Sequence, residues 1–226
     1  MIVQIPQVLT REEVAHCRQV LEASAWVDGK GSAGEQAREV KRNLQVAMDS
    51  PEFEQLGELI LRALGRSPLF NSLAIPLRVR PPMFNRYDTG MHYGAHVDGA
   101  IHGVPGAPRM RGDLSSTLFL TDPAEYDGGE LVMHQLHQTQ AFKLDAGDLL
   151  VYPTNCVHSV NPVTRGSRWA AFFWTQSVVR SHEQRAILHE LDMAIVQIRA
   201  LLPDTHPAVL SLTNTYHNLL RSASEL

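Results

Sequence analysis

Residues 84–98 read FNRYDTGMHYGAHVD, and within them His96 and Asp98 stand two apart. In an extended segment residues two apart share a face, so both side chains can reach one ion while Val97 packs behind them. A third ligand is expected from His158, in NCVHSV, sixty residues beyond Asp98. Two imidazoles and one carboxylate on one side of an octahedral ion leave the opposite positions open, as in the facial triad of non-haem Fe(II) oxygenases. A lone His-x-Asp recurs by chance, so its neighbours must carry the reading.

Ten residues after His158 comes Arg168, inside the strand-like run RWAAFFW. A guanidinium is costly to bury there without an anion, and a carboxylate gripped through two parallel hydrogen bonds is its natural partner. That carboxylate could belong to a bound molecule or to a core residue such as Asp148. Other histidines are weaker candidates. His92 and His102 flank the motif without sharing the strand face of Asp98, and His134 and His137, three apart, would point to opposite faces of a strand. Asp127-Gly-Gly-Glu130 reads as a solvated turn, and Phe172 and Trp174 as core.

These residues need a scaffold. From residue 77 the chain breaks into short strands bounded by Gly, Pro, Asp and Asn: 77–87, 93–98, 114–121, 129–135, 139–144, 148–152, 157–161 and 168–177. Eight short strands following helices predict an α+β fold built on a double-stranded β-helix, or jelly roll, with the metal at its open end. The insert 99–112, rich in Gly and Pro, should overhang the pocket. Before the strands, Thr10 and Glu13 form a capping box for a helix over 11–24, with Cys17 on its apolar stripe. Ser50-Pro51 opens a second helix that Gly65 ends. Both should pack on the outside of a sheet. Residues 29–34, GKGSAG, match G-x-G-x-x-G, but no buried strand precedes them, so we read a mobile glycine loop near the site mouth and not a phosphate cradle. After residue 177, Ser181 caps a helix ended by Pro203, and another runs over 207–222. This helical hairpin defines a C-terminal subdomain, 178–226, beside a main domain, 1–177. It could close the barrel, contact a macromolecular substrate or form a homo-oligomer.

The chain has 226 residues, 44% hydrophobic and 19% charged, with a formal charge of −4. Scattered basic residues argue against nucleic acid or an anionic membrane as partner. There is no signal-like N-terminus and no apolar run of about 20 residues, so a cytoplasmic location is expected. Cys17 and Cys156 are too few for a disulfide framework, and both read as structural.

RYDTGMHYGAHVD, DLSSTLFL, YDGGEL, KLDAGDLLVYP, His158 and PVTRGSRWAAFFW together resemble the bacterial PKHD-type hydroxylases, relatives of prolyl and lysyl hydroxylases among the Fe(II)/2-oxoglutarate dioxygenases. The resemblance is dense over 77–174 and looser towards both ends. It implies that His96, Asp98 and His158 bind Fe(II), that Arg168 grips the distal carboxylate of 2-oxoglutarate, and that Tyr87 assists cosubstrate binding. Some animal prolyl hydroxylases place a second tyrosine on the strand after the His-x-Asp; Phe119 stands here instead, leaving Thr117 as the candidate partner. The implied reaction uses O2, decarboxylates 2-oxoglutarate to succinate and CO2, and hydroxylates an unactivated C–H bond, with L-ascorbate as reductant. The implied substrate is an amino-acid side chain, free or in a peptide, or a small molecule linked to iron acquisition. The alternative is a cupin-like metal protein that senses iron or 2-oxoglutarate without turnover.

Overall fold

The computed structural model describes residues 1–103 and 109–226. Two antiparallel sheets face each other. The larger has eight strands, ordered Val3–Ile5, Leu149–Pro153, Leu114–Phe119, Ser167–Ser177, Met83–Asp88, Leu44–Val46 and Trp26–Asp28, with Pro76–Val79 also paired to Ser167–Ser177. The smaller has five: Thr139–Phe142, Leu131–His134, Val157–Val160, His92–His96 and Lys41–Arg42.

Alternation along the central strands divides the interior into two cores. Trp169, Ala171 and Phe173 join Leu114, Leu118, Leu149 and Val151 on the outer face of the larger sheet. Helices cover that face, as expected. In α1 (Arg11–Ala23), capped by the reciprocal Thr10–Glu13 box, Cys17 and Leu21 are buried, and in α3 (Pro51–Gly65) Leu56, Ile60 and Leu64 are buried. Between them in sequence lies the short α2 (Glu35–Glu39), and α4 (Pro68–Ala74) follows α3. The alternate residues of the same strands, including Phe119, Leu150 and Tyr152, point to the smaller sheet and pack there with Leu131, Met133 and Val163. By this alternation Arg168, Ala170, Phe172 and Trp174 all face the space between the sheets.

The jelly roll with N-terminal helices and a C-terminal helical pair is present, with differences of detail. Residues 1–76 also contribute four strands, Val3–Ile5, Trp26–Asp28, Lys41–Arg42 and Leu44–Val46. The strand predicted over 77–87 is two, Pro76–Val79 and Met83–Asp88, because Pro81 and Pro82 cannot donate to a ladder. Residues 29–34 begin as a 3-10 turn, Gly29–Ser32, after an exposed strand and before the five-residue α2, so no strand-helix-strand unit surrounds them. The C-terminal pair, α5 (His182–Arg199) and α6 (Pro207–Ala223), folds back on its own chain, with α5 against α4 through a Ser72–His189 hydrogen bond of 2.9 Å.

Candidate metal centre

His96 and His158 are direct cross-strand partners on the smaller sheet, which sets their rings 4.2 Å apart between centroids. Asp98 faces both: His96 Nε2 lies 3.9 Å from Oδ1 and His158 Nε2 lies 3.9 Å from Oδ2. Among the described residues this is the one group of three His, Cys, Asp or Glu side chains whose ligand atoms all fall within 4.8 Å of one another. The local route differs from the expected one. The strand ends at His96, Asp98 lies in the irregular segment beyond it, and Val97 is 47% exposed instead of packing behind the pair.

Each imidazole is anchored from behind. His96 Nδ1 donates to Gly94 O at 2.8 Å and His158 Nδ1 donates to Cys156 O at 3.1 Å. A carbonyl only accepts, so both Nδ1 atoms carry the proton and both Nε2 lone pairs face Asp98. Burial, then the neighbouring His158, pull His96 down from 6.5 to about 4, which keeps its ring neutral near pH 7. Ser115 Oγ donates to Asp98 Oδ2 at 2.7 Å. Between His96 and Tyr93 the strand carries an irregularity, two residues, Gly94 and Ala95, set against one, Ser159, on its neighbour, which turns Tyr93 to the face of His96. The two rings stack at 3.6 Å.

From this cluster a cavity of about 260 Å³ runs between the sheets, reaching Tyr87 and Arg168 at one end and Lys41, Arg80, His102 and Trp174 at the other, with Thr117 on its wall, in the ladder opposite Phe172. Arg168 is 2% exposed, flanked by the rings of Tyr87 and Phe119 at 5.4 and 5.2 Å, and neither Nε nor Nη2 has a partner. The core carboxylate weighed as its partner is engaged elsewhere: Asp148 accepts from Gln4 Nε2 at 2.8 Å and from the Gln7 amide at 2.9 Å. A buried cation with unused donors facing a cavity fits a ligand carboxylate.

Tyr87, the ladder partner of Arg168, lines this end, whereas Thr117 lines the cavity opposite Phe172 in the ladder. Phe119 offers Arg168 only a ring face, but Tyr126, which sequence reading passed over, brings a buried hydroxyl without a partner beside the guanidinium. Its signal was the following glycine pair. Gly129 has φ +67, and a Cβ there would stand 3.1 Å from both Arg168 Cδ and Tyr126 Cε2. Phe172 and Trp174, read as core, line the cavity, with Trp174 buried against His102 at 4.2 Å. Of the predicted overhang, Gly99, Ile101 and His102 line the cavity, and residues 104–108 lie outside the described residues. His134 bonds Ser159 at 2.9 Å, and His92 approaches Gly90 O, so neither joins the cluster.

The sequence matches the model of the 2OG-Fe(II) oxygenase superfamily over residues 82–176 and that of the PKHD-type hydroxylase C-terminal domain over 182–225. It is 59% identical to a PKHD-type hydroxylase of Gluconobacter oxydans and 58% identical to one of Paracoccus denitrificans, with 100% of both chains covered in each case. A Pseudomonas putida prolyl-4-hydroxylase structure superposes with a TM-score of 0.51 at 21% identity, covering 78% of this chain and 92% of that one.

Proposed function

The chain belongs to the PKHD-type hydroxylases, 2-oxoglutarate-dependent dioxygenases of the 2OG-Fe(II) oxygenase superfamily, and from that premise we propose the following assignment of its residues. His96, Asp98 and His158 hold Fe(II), and Arg168 holds the distal carboxylate of 2-oxoglutarate. The carrying observation is the buried guanidinium with two unpartnered nitrogens, Nε and Nη2, in the same cavity as the His-Asp-His cluster. Tyr87 and Tyr126 complete that end with aromatic surface and hydroxyls, and Thr117 adds a hydroxyl farther along the cavity wall. When bound, iron and 2-oxoglutarate supply the oxidative chemistry: O2 is consumed, 2-oxoglutarate leaves as succinate and CO2, and a C–H bond gains a hydroxyl.

The protein's own contribution is positional. The Nδ1 anchors aim two lone pairs at one point, Ser115 orients the carboxylate, and the apolar walls exclude bulk water around Arg168. L-Ascorbate would restore iron oxidised in unproductive cycles, and the substrate would be an amino-acid side chain or a small molecule. Succinate formation from 2-oxoglutarate under air, with and without Fe(II), tests the assignment. Iron-dependent succinate supports it, whereas tight 2-oxoglutarate binding with no succinate would leave a sensor.

A further inference from the structure

Lys41 is an unexpected residue in this cavity. It sits on the edge strand Lys41–Arg42, paired in register with Tyr93, and is only 2% exposed. Its Nζ lies 5.1 Å from the Tyr93 ring, which stacks on His96, and 5.6 Å from the Phe172 ring. One ammonium hydrogen goes to Ser32 Oγ at 2.8 Å, and no carboxylate among the described residues comes within 4 Å of Nζ. Arg80, half-buried on the facing sheet with its guanidinium 5.4 Å from the Trp174 ring, likewise has no carboxylate partner among the described residues.

Charge accounting shows what these cations lack. If 2-oxoglutarate occupies the cavity as assigned above, one carboxylate faces the metal and the other Arg168, and Asp98 is committed to the metal. Asp98 and Asp28 then offset Lys41 only in part and from beyond ion-pair distance, no carboxylate among the described residues pairs with Arg80, and an incompletely compensated buried ammonium is costly. Nor can one small diacid serve both ends. Arg168 and Phe172 are four residues apart on one face of Ser167–Ser177, which separates their backbones by about 13 Å.

We propose that Lys41, oriented by Ser32 and supported by Arg80, is the specificity-determining residue of a substrate subsite that takes a small organic carboxylate. The anion would pair with the ammonium, and its carbon skeleton would lie along Phe172 and Trp174 beside the metal. This rests on the assignment of Arg168 to 2-oxoglutarate. Ser32, Ala33 and Gly34 line the same wall, so the segment 29–34 contributes a hydroxyl that holds the lysine in place.

The chain has three lysines, Lys30, Lys41 and Lys143, so 13Cε-labelled lysine gives a spectrum with one resonance for each. The protein is loaded with diamagnetic Zn(II) and titrated first with 2-oxoglutarate, then with acetate and benzoate, using acetamide and benzamide as neutral isosteres. The carboxylates are expected to displace the Lys41 resonance after 2-oxoglutarate has saturated, while the amides and the other two lysines stay unchanged. Silence of Lys41 towards both carboxylates, equal response to the amides, or displacement of all three lysines overturns the proposal. So does full displacement by 2-oxoglutarate alone, which would make Lys41 part of the cosubstrate site. If 2-oxoglutarate fails to bind the loaded protein, the Arg168 assignment has failed, a separate result. By calorimetry Lys41→Met should lose benzoate affinity by about tenfold or more while Lys41→Arg retains most of it; equal affinities in the three proteins would also overturn it.

Discussion

Ser115 Oγ donates to the same carboxylate oxygen of Asp98, Oδ2, that faces His158 Nε2. The serine thus sets the plane of the carboxylate between the two imidazoles, although it comes from the opposite sheet. Ser115→Ala should weaken divalent-metal affinity by about tenfold to a hundredfold, the usual scale for losing such an orienting contact. Competition against a fluorescent chelator measures it, and an unchanged affinity would show that Asp98 is oriented without Ser115.

Arg168→Lys keeps the charge and loses the fork. The expected outcome is a loss of about 1–3 kcal/mol, roughly a tenfold to hundredfold rise in the apparent constant for 2-oxoglutarate, with iron affinity nearly unchanged. Titration of 2-oxoglutarate into the anaerobic Fe(II) protein reads this directly. Intact affinity with a depressed melting point would make Arg168 a stabilising residue only.

Gly129 packs directly against that end. Its φ of +67 suits glycine, and a methyl group there would press on Val163, Arg168 and Tyr126 at 3.0, 3.1 and 3.1 Å. Gly129→Ala should therefore lower the melting temperature by an amount equivalent to about 1–2 kcal/mol. It should also weaken 2-oxoglutarate binding, because Arg168 Cδ must move. A stability loss with cosubstrate affinity intact would show that Tyr126 and Val163 absorb the strain.

Lys41 should carry a pH signature in the metal-free protein. Burial pulls its ammonium down from 10.5 to about 8, partly opposed by Asp98 and Asp28. The charged form is therefore disfavoured in the folded state by roughly 3 kcal/mol. This penalty is fully present below about pH 8 and is relieved as pH rises towards 10.5, where the unfolded chain also loses its proton. Lys41→Met should accordingly melt higher than the parent at pH 7, with the gain shrinking towards pH 10. Melting curves at both pH values decide it, and a variant that melts lower at pH 7 refutes the penalty.

Much of this architecture is readable from residue order, for identifiable physical reasons. Thr10, Ser50 and Ser181 cap helices through their own side chains, as local hydrogen-bond chemistry dictates, and the alternation in RWAAFFW turns Arg168 inward. The strands Val3–Ile5, Trp26–Asp28 and Leu44–Val46 were not legible because three residues are too few to show a period. Lys41 escaped notice because a lysine next to an arginine reads as solvated surface, and its burial arises from tertiary contacts with Ser32, Tyr93 and Phe172. Asp98 stands beside His96 in space, although the chain leaves the strand before reaching it, so a shared strand face is not what brings the two together.

The carbonyl anchors behind His96 and His158 have a consequence for metal supply. With both rings held in register by Gly94 and Cys156, a divalent ion meets a receptor that needs little rearrangement and so exercises little discrimination through it. Intrinsic affinities then follow the Irving–Williams order, in which Ni(II) and Cu(II) outrank Fe(II) at such donors, and Zn(II) competes as well. Which ion occupies the protein is therefore decided by what its surroundings leave free. A preparation drawn over a nickel resin should carry nickel and lie inert until stripped, whatever the condition of its polypeptide.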